Sequence, residues 1–252
     1  MTTNYDAIAT EYQQAKQQPW RTYIESPSLM SLVGGLAGRR VVDLACGEGY
    51  YTRQYAERGA LRVLGVDLSP RMIELARQQE TAAPRGASYS VGDVTLLDVA
   101  APELAEAFDL AAAAYLLNYA RDRQELSAMC RSVAWLLQSG GRFVAINCNP
   151  ALFGYPAPDY RRYGFETQFA PPPAEEGAGV TWTFHVNGST ASIENYYLSF
   201  DTHEAVLSEA GFVDVRWHAV SLAPTTNGHF EPGYWDTFLD RPPVILLECV
   251  KV

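Results

Sequence analysis

Residues 41–53, VVDLACGEGYYTR, carry an apolar run into Asp43, then a turn through Gly47 and Gly49, then the start of a helix. Glycines at such a turn let a ligand come close to the backbone, and the N–H groups of the helix start face it. A second apolar run, VLGVDLSPRM, ends at Asp67, where a carboxylate can accept from both hydroxyls of a ribose. Ser69-Pro70 after it reads as an N-cap with proline at the first helical position. A third run, ASYSV, is followed by Asp93. Three acidic strand ends in register are more specific than a glycine turn alone. They also oppose a nicotinamide dinucleotide, because Asp43 would stand beside a pyrophosphate and the turn lacks the full G-x-G-x-x-G pattern.

For these carboxylates to meet, their strands must lie side by side with one polarity. Apolar runs from Arg40 to Leu44, Arg62 to Val66, Ala87 to Val91, Phe108 to Ala114 and Gly141 to Ile146 alternate with helix-periodic segments such as Arg71 to Glu80 and Asp122 to Leu137. That alternation predicts βαβ units and a parallel sheet covered on both faces. A helix from Thr202 to Ala210, ended by Gly211, and strands from Phe212 to His218 and Val244 to Val250 complete seven strands of a doubly wound, mostly parallel α/β fold.

Two segments fall outside this grammar. Tyr5, Ile8 and Tyr12 are spaced for one helical face, Pro19 breaks the pattern, and a second helical stretch runs from Trp20 to Leu36, closed by Gly34, Gly35 and Gly38. Residues 150–200 hold eleven aromatics, a proline run from Pro171 to Pro173, and a strand pair, Val180 to Val186 and Ala191 to Leu198, turning at Asn187-Gly188. These features predict an inserted antiparallel hairpin. The chain thus divides into a helical cover (1–38), an α/β core (39–149), an aromatic-rich lid (150–200) and a completion of the core sheet (201–252).

The chain has 252 residues, enough for one sizeable core. Its formal charge of −10 would repel a phosphate backbone, so nucleic acid is not an expected partner. No run approaches about 18 consecutive apolar residues, and the start MTTNYDAIATEYQQAK has no signal-peptide pattern, so a soluble cytoplasmic protein is expected. Cys46, Cys130, Cys148 and Cys249 lie far apart in apolar stretches and read as buried reduced thiols. No histidine pair has i, i+4 spacing, so no metal is expected.

The strand-end motifs resemble those of class I S-adenosylmethionine-dependent methyltransferases. That family's first motif is an acidic residue before a loop of D-x-G-x-G-x-G type. Asp43, Ala45, Gly47 and Gly49 stand at those places, with Ala45 for the usual first glycine. The resemblance implies a Rossmann-like methyltransferase fold with S-adenosylmethionine as cofactor. It implies Asp67 at the ribose, Leu68 and Met72 beside the adenine, Asp93 with Val94 at the adenine amino group, and Ala114 and Tyr115 toward the methionine end. Arg21 and Tyr23, in a family-like segment, are assigned to the methionine carboxylate, Arg21 on the fit of a guanidinium to a carboxylate.

The segments YDAIATEYQQAKQQPWRTYIE, AAYLLNYA, ENYYLSFDTHEAVLSEAGFVDVRWH and YWDTFLDRPPVILLECVKV are similar to small-molecule methyltransferases of the group that includes bacterial toxoflavin synthase. This likeness implies N-methylation of a planar heterocycle in bacterial specialised metabolism. The alternatives are O-methylation of a small phenol or acid, modification of a protein, or a silent cofactor-binding module. Methyl transfer from a sulfonium needs alignment, desolvation and, for an acidic N–H or O–H, a proton acceptor. Tyr115, Asn118 and His185 are the candidate catalytic residues, and Tyr5, Tyr12, Tyr119, Trp182 and Phe184 the candidate substrate contacts. His203 and His218 are given structural roles.

Overall fold

The computed structural model describes residues 18–153, 155–169, 175–186, 188–224 and 229–252. Tyr5, Ile8, Tyr12, the Pro171–Pro173 run and Asn187 lie outside the described residues. Five strands, β1 (Arg40–Leu44), β2 (Arg62–Asp67), β3 (Ala87–Val91), β4 (Phe108–Ala114) and β5 (Leu137–Cys148), are parallel. In the order β3-β2-β1-β4-β5-β10-β9 they join β9 (Phe212–His218) and β10 (Val244–Lys251), with β10 antiparallel to both β5 and β9. This is the doubly wound, mostly parallel seven-stranded sheet expected of the sequence.

Two helices that flank the sheet begin where a side chain can satisfy one of the first N–H groups. The Ser69 hydroxyl accepts from Met72 N at 3.1 Å as Pro70 opens a helix over Pro70–Ala82. Asp122 accepts from Glu125 N at 2.9 Å before the helix Arg123–Leu136. Because side chains alternate along a strand, Val41, Val63, Leu110, Ala112, Val144 and Ile146 pack on one face of the sheet. Val42, Leu44, Leu64, Val66, Ala111, Ala113, Phe143 and Ala145 pack on the other. Both faces are therefore core, as helices on each side require.

The insert differs from the expected hairpin. Its two strands, β7 (Gly179–Val186) and β8 (Ser189–Tyr196), gain a third, β6 (Phe165–Phe169), in an antiparallel sheet of order β6-β7-β8. Inward rings tie this sheet to the rest. Phe165 stacks on Trp182 at 5.1 Å and on Tyr160 at 5.1 Å, and meets Trp20 at 5.2 Å. Tyr163 stacks on Trp235 at 5.3 Å. The expected helix from Trp20 to Leu36 is also shorter: a π-type turn, Arg21–Glu25, leads into a helix over Ser26–Val33. Among the described residues no helix is long and apolar enough to cross a membrane, and no group of three His, Cys, Asp or Glu side chains is placed to hold a metal. Cys46, Cys130, Cys148 and Cys249 are buried thiols.

Candidate active site

A turn between β1 and the helix Tyr50–Glu57 forms one wall of a cavity of about 360 Å³ at the carboxyl ends of the central strands. Ala45, Gly47 and Gly49 have φ of 55°, 56° and 83°. At Gly49 a Cβ would lie 2.6 Å from the Tyr89 hydroxyl oxygen, so a side chain is excluded as well as strained. Asp43, 1% exposed, accepts from Thr52 Oγ1 at 2.5 Å, which fixes the carboxylate against the helix that follows. Asp67 accepts from Gly47 N at 2.7 Å and from Ser69 N at 2.9 Å. Asp93 accepts from Thr95 N at 2.9 Å and Thr95 Oγ1 at 2.7 Å. The three strand ends thus meet at one space, whose lining includes Asp43, Ala45, Gly47, Asp67, Leu68, Met72, Asp93, Val94, Ala114, Tyr115, Tyr119 and Arg21. Leu68 stands at its rim, 62% exposed.

Beyond β4 the backbone turns at Tyr115, a non-glycine residue with φ of 68°, whose N–H donates to Ile146 O at 2.8 Å. Positive φ in a bulky residue is uncommon and persists where the surroundings enforce it. The Tyr115 hydroxyl donates to Glu25, a residue the sequence reading passes over. Glu25, 1% exposed, also accepts from the Tyr51 hydroxyl at 2.5 Å and from Arg21 Nη1 at 3.1 Å. Burial, and then the negative charge of Glu25, push the Tyr51 phenol well above its ordinary range, so it stays a proton donor. Burial likewise raises the phenol of Tyr119. A signal for Glu25 was present: Arg21 and Glu25 are spaced i, i+4, each directly after a buried apolar residue, Trp20 and Ile24, which are themselves i, i+4.

Several expected site residues lie elsewhere. Tyr23 is two residues from Arg21 and so on the opposite helical face. Its hydroxyl meets His229 Nδ1 at 3.0 Å and its ring packs edge-on against Phe230, outside the cavity lining. His185 follows Phe184 on β7, and strand alternation sends it outward to an exposed pair with Glu166 at 2.8 Å. Trp182 and Phe184 point inward, but into the aromatic stack behind Tyr115. With Trp20, Arg21 and Tyr115 they border a second space of only about 10 Å³. Asn118 is buried on the turn Leu117–Tyr119 and does not line the cavity, and its amide atoms find no hydrogen-bond partner. Buried His203 donates Nδ1–H to Ser199 O at 2.8 Å, and His218 pairs with Glu248 at 3.0 Å.

Residues 41–141 match the model of a methyltransferase domain. Over 69 residues the chain is 41% identical to an uncharacterised protein of Haemophilus influenzae, covering 27% of each chain. Over 116 residues it is 31% identical to a ubiquinone biosynthesis O-methyltransferase of Coxiella burnetii, covering 45% of this chain and 46% of that one. The matched stretches thus span between about a quarter and a half of these relatives' length. An S-adenosylmethionine-dependent methyltransferase of Mesorhizobium loti has the same fold, with a TM-score of 0.64 and 24% identity over 90% of this chain and 97% of that one. In its central domain and in its fold, this chain is similar to S-adenosylmethionine-dependent methyltransferases.

Proposed function

We propose that this chain transfers the methyl group of S-adenosylmethionine to a small planar acceptor, at the nitrogen of a heterocycle. The observation that carries the cofactor assignment is the convergence of Asp43, Asp67 and Asp93 with the Gly47 turn on one cavity. Carboxylates at those places suit a ligand with ribose hydroxyls, an exocyclic amine and net positive charge, and the backbone at Gly47 leaves room for it. Bound there, the cofactor supplies a methyl group already activated by its sulfonium.

In this reading Asp67 takes the ribose hydroxyls, Leu68 and Met72 border the adenine, and Asp93 with Val94 meets its amino group. Asp43, Ala45 and Ala114 bound the methionine end, and Arg21 supports its carboxylate. Tyr115 and Tyr119 face the acceptor, and Tyr51 sits beside them. The segment Arg21–Val33 and the sheet β6-β7-β8 act as a cover that excludes water. Support for a flat acceptor comes from these tyrosines and from the likeness of the flanking segments to heterocycle methyltransferases. A second reading, methylation of a phenolic oxygen, is favoured by the named activity of the Coxiella burnetii relative.

A panel of flat N–H heterocycles, phenols, aliphatic amines and carboxylic acids, assayed for S-adenosylhomocysteine, tests the proposal. Turnover is expected with the flat acceptors, and turnover confined to the aliphatic compounds would contradict it.

A further inference from the structure

Glu25 is enclosed by groups that donate to it. Arg21 reaches it from the same turn, Tyr51 from the helix Tyr50–Glu57, and Tyr115 from the end of β4. Asp43, at the end of β1, shares the cavity wall with these three. Arg21, Tyr51 and Tyr115 line the cavity, whereas Glu25 lies behind them, so a ligand meets Glu25 through its partners. The polarity of that contact is fixed. Because the Tyr115 hydroxyl spends its proton on Glu25, its oxygen faces other groups as an acceptor. A ligand atom that binds there must bring its own N–H or O–H.

We propose that Glu25 is a positioning residue that orients the Tyr115 hydroxyl and, through it, receives the proton of the methyl acceptor. The inference rests on the methyltransferase reading above and narrows its substrate class to acceptors that lose a proton: phenols, N–H azoles and imides. The acceptor's N–H or O–H donates to Tyr115 Oη. As the new bond from nitrogen or oxygen to the methyl carbon forms and the carbon–sulfur bond breaks, the acceptor's proton passes to Tyr115 Oη and the Tyr115 proton passes to Glu25. The sulfonium becomes a neutral thioether, and the Glu25 carboxylate becomes a neutral acid. The sulfonium charge and the Glu25 charge vanish together, which a low-dielectric site favours, while the buried Arg21 guanidinium loses its partner charge and so makes the protonated Glu25 short-lived. Once product leaves, the proton returns from Glu25 through Tyr115 Oη to water entering the cavity, and the Arg21 guanidinium beside Glu25 favours the carboxylate so restored.

The test compares wild type, Glu25→Gln and Tyr115→Phe with catechol against 4-nitrocatechol and benzimidazole against 5-nitrobenzimidazole, while calorimetry follows S-adenosylhomocysteine binding. Tyr115→Phe leaves the Arg21–Glu25 pair in place, so it serves if the buried Glu25→Gln chain fails to fold. For the weakly acidic member of each pair, kcat/KM is expected to fall about 100-fold, in the range typical of a lost proton acceptor. The deficit should shrink for the nitro analogue and shrink further as pH rises, because an acceptor that ionises in solution needs no relay. In Tyr115→Phe, which leaves the Arg21–Glu25 pair in place, cofactor-product affinity should stay within about twofold of wild type, since the relay acts on the acceptor. Equal losses on both members of a pair, a parallel loss of S-adenosylhomocysteine affinity in Tyr115→Phe, or no turnover of any of the four by a wild type that binds S-adenosylhomocysteine would overturn the inference. A wild type that binds no S-adenosylhomocysteine would instead overturn the methyltransferase reading beneath it.

Discussion

Gly47 donates its backbone N–H to the Asp67 carboxylate at 2.7 Å, so the end of β2 holds the turn that follows β1. A second acceptor bond, from Ser69 N at 2.9 Å, ties the same carboxylate to the cap of the next helix. Asp67 therefore shapes the cavity as well as facing it. Asp67→Ala is expected to weaken S-adenosylhomocysteine binding by about 1–3 kcal/mol, the range for losing bonds to a charged acceptor. Isothermal calorimetry reads this directly, and an unchanged affinity would remove Asp67 from the site.

Gly49 gives a sharper structural prediction. A methyl group there would meet the Tyr89 hydroxyl oxygen at 2.6 Å and its ring at 2.8–2.9 Å, and the φ of 83° suits glycine. Gly49→Ala is expected to cost about 1–2 kcal/mol from the left-handed backbone alone, and more from the contact. Denaturant unfolding would show the loss as a lower midpoint. An unchanged midpoint would mean that the turn relaxes away from this conformation.

The aromatic insert separates stability from exposure. Phe165 is fully buried among Trp20, Tyr160 and Trp182, whereas His185, two residues past Thr183 on a neighbouring strand, faces solvent in its pair with Glu166. Phe165→Ala is expected to destabilise the fold by about 3–5 kcal/mol. His185→Ala should change stability by no more than about 0.5 kcal/mol. Equal effects in thermal unfolding would contradict this division.

His203 should make stability depend on pH. Burial lowers its pKa, opposed by its bond to Ser199 O and the charge of Glu176, so the folded chain takes up its proton at lower pH than the unfolded chain. Stability from this residue is then fully present above the unfolded value of about 6.5 and declines as pH falls below it. His203→Gln is expected to flatten the slope of unfolding free energy between about pH 6.5 and 5, whatever its effect at pH 8. A slope equal to that of wild type would show that other groups carry it.

What the sequence made legible was local. Asp43, Asp67 and Asp93 each close their own apolar run, and the pairing of parallel strands then brings them together with no further information. The strand β6 was not legible, because Phe165–Phe169 is short and its register depends on β7, across a proline-rich stretch. Two of the expected site residues, Tyr23 and His185, lie off the cavity lining for reasons of elementary geometry. Arg21 and Tyr23 cannot share a helical face, and Phe184 and His185 cannot share a face of one strand. Glu25 was legible only as the i, i+4 partner of Arg21, because nothing near it in the chain reveals that Tyr51 and Tyr115 converge on it.

The central claim is that the cavity between Asp43, Asp67 and Asp93 holds S-adenosylmethionine. Calorimetric titration of the full chain with S-adenosylhomocysteine, repeated in the presence of S-adenosylmethionine and with Asp43→Asn and Asp67→Ala chains, tests it most directly. One site per chain, competition between the two ligands and weaker binding in both variants are expected. A folded wild type that binds neither ligand, or binding that both substitutions leave unchanged, would contradict it.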